Sequence, residues 1–289
     1  METQNEDYAF QLIKEKIIRL ELTPAQMALE PCTAGVVVTD VNTGKILALV
    51  TYPGYDGNRL SGTIDTAYYK WLLHDLSNPL YNKATQVLKA PASTFKPIMA
   101  VAALEEGAVE IEENGNYNAG FFGLDHTSGV EIPETDPHIT TEDPERSAMG
   151  QATHAYTNIQ LSRYVTAIAN RGTVYEFSLI DRIVDPSGGK EPEYPSPAYT
   201  KLDFSETTWD IVQEGMRRVI ANNSSRTVRK LFQDLEVPIA GKTGTTQESK
   251  SHANHAFFIS YDPLYFGYLD LENIMARDAG GIANINNID

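Results

Sequence analysis

Two short segments of the sequence carry residue types that could together catalyse acyl transfer. The first spans 92–96 and reads Ala-Ser-Thr-Phe-Lys, and the second spans 241–245 and reads Gly-Lys-Thr-Gly-Thr. Ser93 and Lys96 are three positions apart, so on a helix their side chains lie on one face, one turn apart. A serine hydroxyl is a weak nucleophile that needs a base, and a lysine amine held this close can be that base.

The lysine must be neutral before it can accept a proton. Burial of Lys96 or a nearby cation would favour the neutral amine, and Lys242 could be that cation. The start of the helix that carries Ser93 also offers backbone N–H groups at its positive dipole end. The N–H of Ser93 and one N–H from the Lys-Thr-Gly strand would form an oxyanion hole. Lys242, Thr243 and Thr245 are suited to hold a substrate carboxylate.

Each segment alone is weak evidence, because Ser-x-x-Lys and Lys-Thr-Gly both occur by chance. Together, with the first opening an apolar helix and the second opening a hairpin, they are typical of serine acyltransferases that open β-lactams or D-Ala-D-Ala peptides. Such enzymes carry a third element, Ser-x-Asn, between the other two. No Ser-x-Asn occurs between Lys96 and Lys242, so part of the expected site is missing from the sequence.

The composition argues against several other classes of protein. The chain has 289 residues and a formal net charge of −16, with no basic cluster, so we expect no nucleic-acid partner. Its single cysteine, Cys32, allows no internal disulfide and is predicted to be a small buried residue. No run of about 18 apolar residues and no signal peptide is visible. We predict no metal site, because no metal-ligand spacing relates His126, His138, His154, His252 and His255.

Hydrophobic patterns predict strands at both ends of the chain and helices between them. The strands 34–40 and 45–51 form one hairpin, 239–246 and 256–261 form a second, and both strands of the first are expected to be covered on both faces. The predicted helices are 8–22, the Ser-x-x-Lys helix ending at Gly107, 157–170, 205–221 and 227–235, with a further strand at 180–184. This pattern predicts a mixed α/β domain whose hairpins meet in one antiparallel sheet, with the Ser-x-x-Lys helix packed on it.

Beyond these motifs, the sequence resembles the transpeptidase domain of class B penicillin-binding proteins over roughly residues 34–263. The stretches that carry the resemblance follow one another in family order. They are 43–50 with Tyr-Pro-Gly-Tyr-Asp at 52–56, 78–86 (Asn-Pro-Leu-Tyr-Asn-Lys-Ala-Thr-Gln), 127–134 (Thr-Ser-Gly-Val-Glu-Ile-Pro-Glu), 149–151 (Met-Gly-Gln), 157–161 (Thr-Asn-Ile-Gln-Leu), 169–172 (Ala-Asn-Arg-Gly), 215–219 (Gly-Met-Arg-Arg-Val) and 240–247 (Ala-Gly-Lys-Thr-Gly-Thr-Thr-Gln).

The resemblance implies a fold and a set of site residues. The fold is α/β and serine β-lactamase/transpeptidase-like, an antiparallel sheet flanked by helices with a truncated helical subdomain. Ser93 is implied to be the acylated serine and Lys96 its base. The residues implied to bind substrate are Lys242, Thr243, Gly244 and Thr245, with the backbone of Thr245 completing the oxyanion hole.

The reaction that the resemblance implies is peptidoglycan crosslinking without a cofactor. A stem peptide ending in D-Ala-D-Ala acylates the serine and loses D-Ala, and an amine of a second stem peptide takes the acyl group. β-Lactam antibiotics would acylate the same serine. Other cell-wall synthesis proteins are implied partners, and the full-length protein would be extracytoplasmic and associated with the cell membrane. Two alternatives stay open: a serine β-lactamase, and a non-catalytic β-lactam-binding or sensor domain.

The sequence also departs from the family. Ser93 and Lys242 are 149 positions apart (242 − 93), fewer than the resemblance leads us to expect, and the shortfall falls between Gly107 and Gly123. Either the chain carries a deletion or its numbering closes over omitted residues, and the family character on both sides of the gap favours the second interpretation. The last strand and closing helix expected after Pro263 are not recognisable, nor are a membrane anchor and an N-terminal non-catalytic region.

The predicted organisation therefore has three parts. Residues 1–33 form an N-terminal helix and lead-in, and residues 34–263 form the penicillin-binding transpeptidase domain. Residues 264–289 form a C-terminal segment of uncertain order, because its last part is rich in Gly and Asn.

Overall fold

The structure is a computed structural model. It describes residues 3–19, 21, 33–106, 119–140, 144–180, 187, 199–221, 232, 238–246, 255–262 and 279–286. The helices within these residues are α1 (Thr3–Ile18), α2 (Thr66–His74), α3 (Lys83–Gln86), α4 (Lys96–Glu106), α5 (Pro144–Ala148), α6 (Asn158–Ala169) and α7 (Glu206–Ala221). The strands are β1 (Ala34–Asp40), β2 (Ile46–Tyr52), β3 (Thr173–Tyr175), β4 (Tyr199–Lys201), β5 (Ala240–Thr246), β6 (His255–Tyr261) and β7 (Ala279–Asn286). In this part of the chain no helix is both long and apolar enough to cross a membrane.

One antiparallel sheet organises the described residues, with the strand order β2-β1-β7-β6-β5. Both predicted hairpins are present, since β1 pairs with β2 and β5 pairs with β6. The hairpins share the sheet without pairing with each other, because β7 lies between β1 and β6 and pairs with both. The strand that carries the Lys-Thr-Gly segment, β5, is therefore at one edge of the sheet. Strands β3 and β4 form a separate two-stranded sheet.

Strand β7 is an element that the sequence pattern does not indicate, as are α2, α3, α5, β3 and β4. It lies within 264–289, the segment assigned to uncertain order, and its Gly- and Asn-rich composition is unfavourable in strands. Its backbone nevertheless pairs with β1 from Ala34 opposite Ile285 to Asp40 opposite Ala279, and pairs with β6 on its other side. The two neighbouring strands supply hydrogen-bond partners along its length, so tertiary context overrides local propensity here.

The first hairpin follows from its turn residues. The Asp40 side chain accepts the N–H groups of Asn42 and Thr43, and Gly44 has a φ of 69°. A Cβ on Gly44 would lie 2.4 Å from the Tyr175 ring, so glycine is required there on both conformational and steric grounds. The expectation that both strands are covered on both faces is not met by β2, because β2 is an edge strand with Leu47 and Val50 exposed.

Helix α6 is the central helix, and every residue in it is buried. Its start matches the predicted boundary, because Thr157 and Gln160 form a capping box in which each side chain accepts the other residue's N–H. Gly172 follows its last turn with a φ of 102°. The helix contacts β1, β6 and β7, so it crosses the middle of the sheet and forms a rigid support there.

Helices α4 and α7 pack with α6 into the main hydrophobic core. Helix α7 begins after Ser205, whose Oγ accepts the Thr208 N–H at 3.1 Å, as the sequence predicts. Members of this core from the helices and the sheet include Phe95, Ile98, Tyr164, Trp209, Met216, Phe257 and Ile259. The core therefore joins α4, the helix that follows Ser93, to β6, the strand that pairs with the Lys-Thr-Gly strand.

Some predicted features cannot be compared with the structure. Most of the predicted strand 180–184 and most of the predicted helix 227–235 lie outside the described residues, as do Gly107 and Cys32. Helix α1 is present as Thr3–Ile18, which lies towards the N-terminus of the predicted 8–22.

Candidate active site

Ser93 lies on a tight 3-10 turn, Ala92–Phe95, and α4 begins directly after it at Lys96. The predicted Ser-x-x-Lys helix therefore starts as a tighter turn and becomes regular only at the lysine. Ala92 has a φ of 49°, a conformation that few residues with a side chain adopt. It bends the chain sharply just before the serine. We call residues 90–96 the Ser93 turn.

The conformation of the Ser93 turn is held by the segment 149–151. The Ala92 N–H donates to the Gly150 carbonyl at 2.8 Å. Gly150 has a φ of 71°, and a Cβ built on it would lie 2.2 Å from the Ala92 carbonyl oxygen. Only glycine fits at this position. The Met-Gly-Gln stretch, which the sequence marks only by family resemblance, is thus a support for the serine.

Strand β5 packs directly against the Ser93 turn. A Cβ on Gly244 would lie 2.9 Å from Thr94 Cγ2 and 3.0 Å from the Pro91 carbonyl oxygen. Two residues further along the strand, Thr246 Oγ1 donates to the Ala90 carbonyl oxygen at 2.7 Å. The two segments that the sequence identifies, whose Ser93 and Lys242 are 149 positions apart (242 − 93), therefore pack against each other, and a hydrogen bond joins the residues that flank them.

The two lysines of the site differ in their environments. Lys242 is half-buried, and its Nζ donates to the Thr243 carbonyl oxygen at 2.7 Å. Burial lowers the pKa of Lys242, and the positive charge of Lys96 lowers it further. Lys96 itself is exposed. The structure therefore places Lys96 near Lys242 and leaves its side chain exposed.

The remaining predicted residues line the same region. Ser93 and Thr243 are half-buried, Gly244 is buried, and Thr245 is exposed at the edge of the sheet. The structure thus brings all six predicted residues to two adjoining segments. Lys96 and Thr245 are the two of these six residues that are exposed.

Two hydroxyl groups that the sequence motifs do not mark also reach the Ser93 turn. Tyr164 on α6 donates to the Thr94 carbonyl oxygen, and Thr246 donates to Ala90 as described. Only Thr246 could have been suspected from the sequence, because it directly follows the second motif. Tyr164 lies in a uniformly buried helix whose pattern indicates only core.

A buried histidine lies beneath the same turn. The His154 ring is 5.2 Å from the Phe95 ring, and its Nδ1 accepts the Thr140 N–H at 3.2 Å. Burial, with a smaller contribution from His138, lowers the pKa of His154 to about 4. Among the described residues no group of three or more His, Cys, Asp and Glu side chains could hold a metal ion. His154 is therefore a neutral core residue of the site.

A serine turn locked against a Lys-Thr-Gly edge strand, on an antiparallel sheet with helices against it, defines the class of serine acyltransferases that recognise β-lactams. The sequence matches the family described as penicillin binding protein transpeptidase domain over residues 34–121 and 114–273. The chain belongs to this family, as the resemblance predicts. The two matched stretches overlap at residues 114–121. This overlap lies between Gly107 and Gly123, where the chain is expected to lack residues that the family has.

A relative contains residues that this chain lacks. The chain is 27% identical over 332 residues to the peptidoglycan D,D-transpeptidase MrdA of Haemophilus influenzae, covering 86% of this chain and 50% of that protein. The aligned length exceeds the 289 residues of the whole chain, so part of the relative has no counterpart here. The chain spans about half the length of this relative. That the numbering closes over omitted residues stays a prediction, and an intact mass near 32.0 kDa would contradict it.

Solved structures share the fold. Pseudomonas aeruginosa PBP2 in complex with WCK 5153 superposes with a TM-score of 0.71 at 22% identity, covering 88% of this chain and 69% of that one. The imipenem acyl-enzyme complex of penicillin-binding protein A from M. tuberculosis gives a TM-score of 0.71 at 21% identity, covering 89% and 68%. The predicted serine acyltransferase fold is therefore confirmed.

Proposed function

We propose that this chain is the catalytic part of a peptidoglycan D,D-transpeptidase, and that Ser93 forms an acyl-enzyme with stem peptides ending in D-Ala-D-Ala and with β-lactams. The observation that carries the proposal is the contact of β5 with the Ser93 turn, in which Thr246 is 2.7 Å from Ala90 and Gly244 lies against Thr94. This contact supports the proposal because it brings Ser93, the proposed nucleophile, close to the strand that would bind the substrate carboxylate. The name of the relative and the acyl-enzyme structure of a fold neighbour support the same chemistry.

In the first half-reaction, Ser93 Oγ attacks the carbonyl carbon of the penultimate D-Ala. Its proton passes to Lys96 Nζ, an Oγ–C ester bond forms, and the peptide C–N bond breaks. The proton then passes from Lys96 to the nitrogen of the departing D-Ala. The N–H groups of Ser93 and Thr245 would stabilise the negative oxygen of the tetrahedral intermediate, where one such donor is typically worth about 3 kcal/mol.

In the second half-reaction, an amine of another stem peptide attacks the ester carbonyl carbon. A new amide C–N bond forms, the ester bond to Ser93 Oγ breaks, and a proton from the amine returns to the serine oxygen through Lys96. Before acylation, Lys242, Thr243 and Thr245 hold the terminal carboxylate of the donor, which leaves with the released D-Ala. The half-buried ammonium of Lys242 suits this role because partial exclusion of water strengthens its attraction to an anion.

A second candidate function has its own support. Lys96 is exposed, and no Ser-x-Asn occurs between it and Lys242. These two features favour a β-lactam-binding domain that is acylated without transferring the acyl group. A serine β-lactamase is the third alternative, and it would release hydrolysed antibiotic continuously.

Product analysis separates these functions. The full chain is incubated with a pentapeptide ending in D-Ala-D-Ala and an acceptor amine, with the Ser93→Ala variant as the control. Transpeptidation predicts release of one D-Ala per new amide product, with no product from the variant. An adduct with penicillin but no amide product would establish the binding domain instead. Continuous turnover of a chromogenic cephalosporin would establish a β-lactamase.

We extend the proposal to location and partners. Peptidoglycan stem peptides are available outside the cytoplasm, so the domain would work on the extracytoplasmic side of the membrane in a longer, anchored protein. Other cell-wall synthesis proteins would be its partners there.

A further inference from the structure

We propose that Tyr164 and Thr246 are positioning residues that hold the Ser93 turn from its two ends and thereby set the rate of acylation. The effect on acylation rests on the proposed function, because it requires that Ser93 reacts. Neither side chain is assigned a contact with the substrate. Each acts through a backbone carbonyl group of the turn.

The two anchored carbonyl groups lie on either side of Ser93. Thr246 Oγ1 donates to the Ala90 carbonyl oxygen at 2.7 Å, and Tyr164 Oη donates to the Thr94 carbonyl oxygen. The backbone between these points carries the serine hydroxyl and the Ser93 N–H proposed for the oxyanion hole. Fixing both ends of so short a segment restricts where the hydroxyl and the N–H can lie.

The two donors come from different parts of the fold. Thr246 is the last residue of β5, which also carries Lys242, and Tyr164 lies in the fully buried helix α6. The bonds therefore tie the Ser93 turn to the carboxylate-binding strand on one side and to the core helix on the other. Strand β5 also packs against the turn where Gly244 contacts Thr94. The Thr246 hydrogen bond therefore fixes how β5 is aligned with the Ser93 turn.

Burial makes both bonds persistent. Thr246 is 6% exposed and Tyr164 is 0% exposed, so water competes little for either carbonyl group. Burial raises the pKa of Tyr164 well above its ordinary value. Its hydroxyl therefore keeps its proton and remains a donor at neutral pH.

Nearly isosteric substitutions remove the donors without creating cavities. Tyr164→Phe deletes only the hydroxyl, and Thr246→Val replaces it with a methyl group. Each removes a hydrogen bond to a backbone carbonyl group of the Ser93 turn, and the turn is expected to shift. A displacement of about 1 Å at a reacting group can cost about 100-fold, so we expect acylation to slow by about 10- to 100-fold. Thr246→Ser keeps the hydroxyl and should react near the parent rate.

The test is the kinetics of acylation of the full chain by a fluorescent penicillin. The rate constant of the covalent step should fall in both variants while the preceding binding constant stays unchanged. Two control variants make the same chemical deletions elsewhere: Tyr175→Phe removes a hydroxyl that donates to the Asn42 carbonyl oxygen, and Thr39→Val removes a buried bond to Thr166 of 2.7 Å. The controls should acylate at the parent rate even where thermal stability falls.

Hydrogen–deuterium exchange gives a readout that does not depend on the reaction. The peptide spanning 88–96 should exchange faster in Tyr164→Phe and Thr246→Val than in the parent, and at the parent rate in the two controls. A parent chain that forms no adduct would contradict the proposed function, and exchange would still test the anchoring of the turn. Acylation of both variants at the parent rate, or unchanged exchange, overturns the positioning role.

Discussion

Gly244 and Thr94 lie so close together that the strand and the turn can pack only if residue 244 lacks a side chain. A Cβ on Gly244 would lie 2.9 Å from Thr94 Cγ2 and 3.0 Å from the Pro91 carbonyl oxygen, closer than carbon atoms pack in protein interiors. The glycine of the Lys-Thr-Gly motif therefore has a steric role in this chain. It lets the residues on β5 approach the serine.

This relationship predicts the effect of Gly244→Ala. The new methyl group would push β5 away from the Ser93 turn, and a shift of about 1 Å there should slow penicillin acylation by about 100-fold. Gly215→Ala is the matched control, because a Cβ there meets no atom within 4 Å. The control should keep the parent rate and gain up to about 1 kcal/mol from helix propensity. Equal rates for Gly244→Ala and the parent would show that β5 need not be this close.

Lys96→Ala tests the base. Loss of a positioned base typically costs a factor of about 100 to 10,000, so acylation of Ser93 should fall by that range. Because Lys96 is exposed, its replacement should change the free energy of unfolding by less than about 0.5 kcal/mol. Lys70→Ala, at an exposed lysine on α2, is the control and should leave both quantities unchanged. A Lys96→Ala variant that acylates at the parent rate would assign the base to another group.

The buried His154 predicts a pH dependence of stability. Its pKa is lowered to about 4 by burial and then by His138, whereas the unfolded chain takes up a proton near the ordinary value of about 6.5. The unfolded state therefore binds more protons between these values, and the free energy of unfolding falls as pH falls through that window. At pH 5 the loss attributable to His154 should be about 1–2 kcal/mol.

Urea unfolding at pH 7 and pH 5 measures this loss. His154→Leu should remove that share of the difference, and His74→Leu, at an exposed position of α2, should not. An undiminished loss in His154→Leu would mean that other groups control stability in acid.

Replacement of the buried Arg163 should destabilise the protein strongly. Its side chain is 3% exposed, pairs with Glu176, and donates to the carbonyl oxygens of Tyr175 at 2.8 Å and Thr127 at 3.0 Å. Arg163→Met removes the donor to several carbonyl oxygens and the ion pair with Glu176, which keeps its contact with His126, so it should lower the free energy of unfolding by about 3–5 kcal/mol. Arg218→Met removes an exposed ion pair with Glu214 and should change the same quantity little. Comparable losses in both variants would contradict this role for Arg163.

The parts of the fold that could be predicted from sequence are those with local signals. The Asn-Thr-Gly turn marks the first hairpin, Thr157 marks the start of α6, and Ser205 marks the start of α7. Strand β7 could not be predicted, because its Gly and Asn residues oppose a strand and it is stabilised by pairing with β1 and β6, which are distant in sequence.

The candidate site also has parts that could be predicted from the sequence and parts that could not. Ser93, Lys96 and Lys242 stand in motifs whose joint presence in the sequence is informative by itself. The exposure of Lys96 and the hydroxyl groups of Tyr164 and Thr246 depend on which elements meet in space. Spacing along the chain carries no information about such meetings.

The most direct test of the proposed chemistry is peptide mapping of the full chain after incubation with benzylpenicillin. We expect one covalent acyl group per chain, on the peptide that contains Ser93, and no adduct on the Ser93→Ala variant. Circular dichroism of both proteins would establish that each is folded. A folded parent chain without an adduct, or an adduct on any residue other than Ser93, would contradict the assignment of Ser93 as the nucleophile.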